Sequence, residues 1–183
     1  MPEILCTADD AGLTEGVTRA IVNCLDSGSL QGTSVMAGGY YAAPAMRLLR
    51  DRPWAVTAVH LNLLEGKACA QPAAIPDLVA EAGSCRHTLG SRWRALSLGT
   101  ASTKNRLRAQ VFTEFRAQID AVRQGLGTET VRLDGHLHVH SMPGLLPVME
   151  DIFLTCPVAY VRIPLENRYF PALLPRLLAS GVI

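Results

Sequence analysis

The sequence predicts an α/β fold with mainly parallel strands. Short apolar segments of strand character alternate along the 183 residues with segments whose apolar residues recur at helical spacing. This alternation is typical of sheets in which each helix crosses from one parallel strand to the next. Polar residues also lie at the carboxyl ends of three of the predicted strands. Parallel sheets and barrels place their functional sites at the carboxyl ends of their strands.

Five strands are predicted, and a sixth is expected to begin at Val182. The five are short runs bounded by turn-forming residues, and they occupy residues 4–8, 33–37, 55–63, 130–140 and 158–163. The first helix is expected to be capped by Thr14 and ended by Gly28. Further helices are predicted at residues 42–51, 107–122, 146–154 and 172–179.

One connection, residues 64–103, is much longer than the others. It is rich in Ala, Pro, Gly and Ser and is expected to be irregular. Because this length exceeds the connections usual in a compact domain, we expect a functional excursion or a lid over the site. Residues 1–183 as a whole suit a single domain.

Composition and charge exclude several classes of function. The formal net charge is +1, so a basic surface for nucleic acid is not expected. No run of about 18 apolar residues is present, so no membrane span is expected. The N terminus lacks the basic start of a signal peptide, and the five cysteines form no CxxC pair. A cytoplasmic protein with reduced thiols is therefore expected.

Three of the five histidines, His136, His138 and His140, alternate directly after a β-prone run. In an extended segment alternate side chains share one face, so the three imidazoles are expected to converge. Clustered imidazoles near a carboxylate suit a divalent metal ion. The alternative is a polar turn whose histidines only form hydrogen bonds.

Two other polar pairs follow predicted strands. Asp9 and Asp10 are adjacent, so in an extended chain they point in opposite directions, and one could bind metal while the other acts as a base. The alternative is a solvated acidic turn before a helix. His60 and Asn62 share a face of the third strand, where His60 alone would more often be an ordinary strand histidine.

Four segments resemble the YdjC-like carbohydrate deacetylases, which include the chitooligosaccharide deacetylases. Residues 7–14, TADDAGLT, are similar to the family's ADDFG motif, with Ala11 in place of Phe. The other three are HLNL at residues 60–63, LDGHLHVHSMP at 133–143 and VRIPLE at 161–166, which resemble the HLNL, DSHxHVHxxP and VRxPxE motifs.

The resemblance implies an incomplete or distorted (β/α) barrel that removes an N-linked acetyl group from an amino sugar. It also implies one divalent metal ion, Mg²⁺ or Zn²⁺, held by Asp10, His60 and His136. Asp9 would be the catalytic base, taking a proton from a water molecule whose pKa the metal lowers.

The remaining site residues follow from the same resemblance. His138 and His140 would orient ligands or line the sugar site, and they are the candidates to protonate the leaving amine. Asn62 and Arg162 would bind substrate, although Arg162 could equally pair with Asp134 or Glu166.

Two alternative functions and an incomplete chain are also considered. The fold could serve a hydrolase of another amide or ester, for example on lipid-linked sugars, or a metal-binding carbohydrate module with weakened catalysis. Relatives continue past the VRIPLE segment with a further His motif, so the chain is expected to be truncated at its C terminus and weakly active. A sheet left open there exposes its edge, which a homodimer would cover.

Overall fold

A computed structural model of the chain describes residues 4–80, 83–85 and 89–164. Within these ranges five strands form one sheet, in which each strand pairs in parallel with the next along the chain. The strands are β1 (Thr7–Ala11), β2 (Gly32–Val35), β3 (Val56–Leu61), β4 (Val131–Gly135) and β5 (Val158–Val161). The predicted parallel α/β architecture is therefore confirmed.

The strands are connected by helices. These are α1 (Glu15–Asp26), α2 (Ala42–Arg50), α3 (Leu89–Leu98), α4 (Ala101–Leu126) and α5 (Leu146–Thr155). As predicted, the Thr14 side chain caps α1 by accepting a hydrogen bond from the Val17 amide. Gly127 ends α4 in the left-handed conformation, with φ of 69°, which a glycine adopts without the steric cost of a Cβ atom.

The core lies between the sheet and the helices, and α4 supplies much of it. Val111, Phe115, Ile119 and Val122 recur every three or four residues along α4, and all four are buried. The helix packs against β3, α2 and α5. Burial of each of these side chains contributes roughly 1.5–3 kcal/mol, so this apolar stripe is what fixes α4 on the sheet.

The predicted irregular segment 64–103 is only partly irregular. It contains a short 3-10 turn at Pro72–Ala74, and its last part is helical, because α3 and the start of α4 lie in it. The Thr100 hydroxyl accepts a hydrogen bond from the Thr103 amide and so caps α4 earlier than predicted. The earlier part of the segment is attached to α4, since the Glu114 carboxylate accepts the amide hydrogens of Cys69 and Ala70. Its role as a lid stays a prediction.

The predicted strand 130–140 is wrong in its second half. β4 ends at Gly135, and the 3-10 segment His136–Ser141 follows. Within it Leu137 and His138 adopt left-handed backbone conformations, with φ of 47° and 55°. Strict alternation requires extended backbone, so the three histidines cannot share one face.

Two predicted elements, the helix at residues 172–179 and the strand beginning at Val182, lie outside the described residues. Among the helices that are described, no helix has both the length and the apolar character needed to cross a membrane.

Candidate active site

Polar side chains gather at the carboxyl edge of the sheet. Each strand places at least one of them in or just after its last residues: Asp9 and Asp10 from β1, Ser34 from β2, His60 from β3, Asp134 and His136 from β4, and Arg162 after β5. Successive parallel strands end on the same side of a sheet, so this grouping follows from the strand order.

His60 is the central residue of this group and is 2% exposed. Its Nδ1 lies 2.6 Å from Oδ1 of Asp134, and its Nε2 lies 3.2 Å from Oδ1 of Asp10. Both carboxylates can only accept a hydrogen bond when ionised, and we assign the ring hydrogen to Nδ1 because its contact with Asp134 is the shorter of the two. Nε2 then presents a lone pair to Asp10, and two such electron-rich atoms are stabilised by a cation between them.

Asp10 and His136 complete a set of three donors. Nδ1 of His136 lies 3.0 Å from the same Oδ1 of Asp10 that faces His60. One donor atom from each of the three residues lies within 4.8 Å of the others. Two imidazole nitrogens and a carboxylate oxygen are ligands of the kind that Zn²⁺ and related divalent ions take. The set could therefore hold one divalent metal ion.

Asp9 and Asp10 face different partners, as the sequence predicts. Asp10 has a left-handed backbone, with φ of 69°, and the register between β1 and β2 shifts between Ala8 and Ala11. Asp tolerates this conformation better than most residues. While Asp10 contacts His60 and His136, the Asp9 carboxylate turns to Arg162.

Arg162 joins two carboxylates. Its Nη2 lies 2.8 Å from both oxygens of Asp9 and 3.0 Å from Oδ2 of Asp134. Burial acts to raise the pKa of Asp9, but the hydrogen bonds and charge of Arg162 outweigh it and hold that pKa below its ordinary value. Ser34 contributes by donating to Oδ1 of Asp9 at 3.2 Å. The Asp9 carboxylate is therefore held ionised. Arg162 makes the predicted pair with Asp134, while Glu166, the other predicted partner, lies outside the described residues.

The contact between Asp9 and Arg162 also indicates that the sheet is curved. In a flat sheet, four strand spacings of about 4.8 Å would put β1 and β5 roughly 19 Å apart, more than these two side chains can bridge. Their direct contact at 2.8 Å requires a strongly curved sheet. Such curvature is that of a barrel wall and agrees with the predicted incomplete barrel.

The structure separates the three clustered histidines. Only His136 reaches the metal-ligand set. His138 is exposed, whereas His140 is 2% exposed and its Nε2 lies 2.9 Å from the carbonyl oxygen of Arg162. The expected convergence is wrong because the left-handed turn at Leu137 and His138 rotates the later side chains away. The catalytic roles of His138 and His140 stay predictions.

Asn62, predicted to bind substrate, is buried and shapes a turn. Its Nδ2 donates to the carbonyl oxygen of Glu65 at 2.6 Å, and its Oδ1 accepts the amide hydrogens of Leu64 and Glu65. These contacts indicate a positioning role, and substrate binding by Asn62 stays a prediction. The turn presents Glu65 to the site, where Oε1 lies 3.5 Å from Nε2 of His136.

Three residues near the site, Asp134, Ser34 and Glu65, are not among the site residues that the sequence predicts. Asp134 is expected only as a partner for Arg162. Asp134 has a usable signal, because it lies next to the last residue of β4 and two residues before His136. Ser34 and Glu65 have none, since a lone serine in a strand and a lone glutamate in a loop are common.

Comparison with known proteins decides the family. Residues 3–180 match the family described as YdjC-like protein. The chain belongs to the YdjC-like family. The predicted resemblance is thereby confirmed over nearly the whole length of the sequence.

The YdjC-like chain is similar to several curated relatives. It is 31% identical over 166 residues to a carbohydrate deacetylase of Mus musculus, an alignment that covers 90% of this chain and 51% of the relative. It is 28% identical over 147 residues to a chitooligosaccharide deacetylase of Serratia marcescens, covering 80% and 54% respectively. The chain thus spans about half the length of these relatives.

A solved structure is also similar to the YdjC-like chain. It is a crystal structure of an Enterococcus faecalis protein named for cellobiose-phosphate cleavage. The TM-score is 0.64 at 25% sequence identity, and the match covers 84% of this chain and 57% of the other. This similarity agrees with the α/β architecture described above.

Proposed function

We propose that this chain is a metal-dependent hydrolase that removes an N-acetyl group from an amino sugar or oligosaccharide. The observation that carries the proposal is the three-donor set of Asp10, His60 and His136 beside the separate carboxylate of Asp9. The names of the relatives, carbohydrate deacetylase and chitooligosaccharide deacetylase, support the substrate class and the reaction.

In this proposal Asp10, His60 and His136 hold the metal ion, either Mg²⁺ or Zn²⁺. The carboxylate of Asp134 accepts the Nδ1 hydrogen of His60 and so keeps Nε2 directed at the metal position. When bound, the divalent ion supplies Lewis acidity toward the acetyl carbonyl and toward an attacking water.

Asp9 is proposed as the general base. Its carboxylate is 40% exposed, so it can be reached from solvent, and the charge of Arg162 keeps it ionised. Asp9 takes one proton from the attacking water at a carboxylate oxygen. Such proton transfer by a positioned side chain contributes about 10²–10⁴-fold to a rate.

The leaving amine needs a proton, and His138 is the better placed of the two predicted candidates. Its side chain is exposed at the same edge of the sheet, whereas the Nε2 of His140 is engaged by the carbonyl oxygen of Arg162. We assign His140 to holding Arg162 in place. The cytoplasmic location and the homodimer predicted from the sequence remain part of the proposal.

Acetate release from N-acetylglucosamine and its short β-linked oligomers tests the proposal. Activity is expected with Mg²⁺ or Zn²⁺, is expected to disappear with a chelator, and is expected to fall by about 10²–10⁴-fold in Asp9→Asn. Glu129→Gln is the matched control, because Glu129 is exposed and lies before β4, away from the site. Sugar binding without acetate release by wild-type protein would favour the binding-module alternative. Acetate release from acetyl esters but not from acetamides would favour the other hydrolase alternative.

A further inference from the structure

A second group of possible metal ligands lies beside the first. Donor atoms of Asp9, His60 and Asp134 lie within 4.8 Å of one another. The space between the two carboxylates is taken by Nη2 of Arg162, which lies 2.8 Å from both oxygens of Asp9 and 3.0 Å from Oδ2 of Asp134.

The number of contacts distinguishes this nitrogen from an ordinary hydrogen-bond donor. A guanidinium nitrogen of the Nη type carries two hydrogens, yet three carboxylate oxygens surround Nη2 of Arg162. At least one of the three oxygens therefore has no hydrogen of Nη2 to itself, and it is attracted mainly by the positive charge of the guanidinium. The surroundings of Nη2 therefore resemble those of a bound metal cation, because three carboxylate oxygens from two residues surround one centre of positive charge.

The main chain and the other end of the guanidinium hold Arg162 in this position. Its amide donates to the carbonyl oxygen of Leu133 at 2.8 Å, and its own carbonyl faces Nε2 of His140. Nη1 donates to the Thr7 hydroxyl at 3.2 Å. These contacts come from β1, from β4 and from the turn that follows β4.

We propose that Arg162 occupies the position of a second cation, so that this site takes one metal ion and the protein supplies the second positive charge. The inference builds on the proposed function, in which the metal ion binds at Asp10, His60 and His136. A chain without the Arg162 side chain would leave Asp9 and Asp134 facing each other. These carboxylates would then bind a second divalent ion.

The chemistry of the second position favours ions that prefer oxygen. His60 belongs to both groups, but its Nε2 faces Asp10 and its Nδ1 faces Asp134, so only the carboxylate oxygens of Asp9 and Asp134 are left for the second position, whereas the first position includes two imidazoles. Asp134 is 4% exposed, and a buried carboxylate deprived of its cation must be compensated by another charge or by a proton. Mn²⁺ is a suitable probe because it accepts both kinds of ligand.

Metal stoichiometry measured by calorimetry and by native mass spectrometry tests the inference. Arg162→Ala is expected to bind one Mn²⁺ per chain more than the wild type. Arg162→Lys, which keeps a positive charge there, is expected to match the wild type. The double variant Arg162→Ala with Asp9→Asn is expected to lose the additional ion. An unchanged stoichiometry in Arg162→Ala would overturn the inference.

Two further measurements keep the test decisive. Arg162→Gln provides a second neutral variant of similar volume if Arg162→Ala does not give a folded protein, as judged by near-UV circular dichroism. The wild-type stoichiometry separates this inference from the proposed function. If the wild type bound no ion, the metal-dependent function would fail, while an ion gained by the neutral variants would still support the second position.

Discussion

Nδ1 of His60 lies 2.6 Å from Oδ1 of Asp134, the residue that pairs with it across β3 and β4. Both residues are buried. The register of the two strands therefore determines which ring nitrogen of His60 faces Asp10 and the proposed metal position. A one-residue slip would place the Asp134 side chain on the other face of the sheet.

Asp134→Asn is expected to weaken metal binding by about 10–100-fold, the usual cost of removing the group that orients a metal-binding histidine. The reason is that an amide can donate to Nδ1 of His60, which would allow the ring hydrogen to move to Nε2. A metal titration of the purified variant measures the change, with Glu129→Gln as the matched control. Equal affinities in the two variants would show that Asp134 does not orient His60.

The two neighbouring aspartates are expected to differ in function. Asp9→Asn should keep the bound metal and lose about 10²–10⁴-fold in kcat, because it removes a base and no ligand. His136→Ala should lose metal and activity together. Metal analysis of each variant beside its rate of acetate release separates the two roles. Loss of the metal in Asp9→Asn would mean that the assignment of base and ligand is wrong.

His140 is expected to make folding depend on pH. Burial lowers the pKa of His140 to about 4, against an ordinary value of 6.5. Above pH 6.5 both the folded and the unfolded chain are neutral at this residue, and between the two pKa values only the unfolded chain takes up a proton. The contribution of the neutral His140 to the free energy of unfolding is therefore fully present above pH 6.5 and is lost as the pH falls towards 4.

Urea denaturation of wild-type protein and His140→Gln at pH 7 and pH 5 measures this effect. The wild type should lose about 2 kcal/mol more of its unfolding free energy between these two pH values than the variant does. The glutamine amide can still donate to the carbonyl oxygen of Arg162, so the comparison isolates the titration. Equal pH dependence in the two proteins would show that His140 is not held neutral.

Segment 64–103 is expected to be cut first by trypsin, at Lys67 among other sites, and substrate should slow the cut if the segment covers the site. Glu114→Gln should accelerate the cut at Lys67, because it removes the charge that accepts the amide hydrogens of Cys69 and Ala70. Mass spectrometry of the fragments identifies the cleavage site. A rate that responds to neither substrate nor Glu114→Gln would exclude a mobile lid.

The sequence predicts most of the fold because the strands and helices are locally encoded. The capped helix after Thr14 and the apolar stripe of α4 are periodic patterns, and both are found as predicted. The end of β4 is different. Its continuation 136–140 alternates like a strand, but packing of His140 against Gly135 and its contact with Arg162 favour a left-handed turn. Such long-range contacts are not visible in local spacing.

The candidate site is likewise predictable from the sequence only in part. Motif resemblance groups Asp10, His60 and His136, and the structure brings their donor atoms together. The paired contacts of Arg162 could not be chosen from sequence, because each of its possible partners had the right charge. Within the described residues, Arg162 contacts both Asp9 and Asp134, and local sequence does not encode that pair of distances.

Asp9 and Arg162 are separated by 153 positions in the sequence, and this separation has a consequence for how the protein folds. Contacts between distant segments form late, because closing a long loop costs entropy until the intervening structure is in place. The pair can meet only after all five strands have docked and the sheet has curved. A metal ion stabilises only the state that binds it, so capture of an ion at Asp10, His60 and His136 would select chains in which β1, β3 and β4 have already come together, before the contact between Asp9 and Arg162 is made.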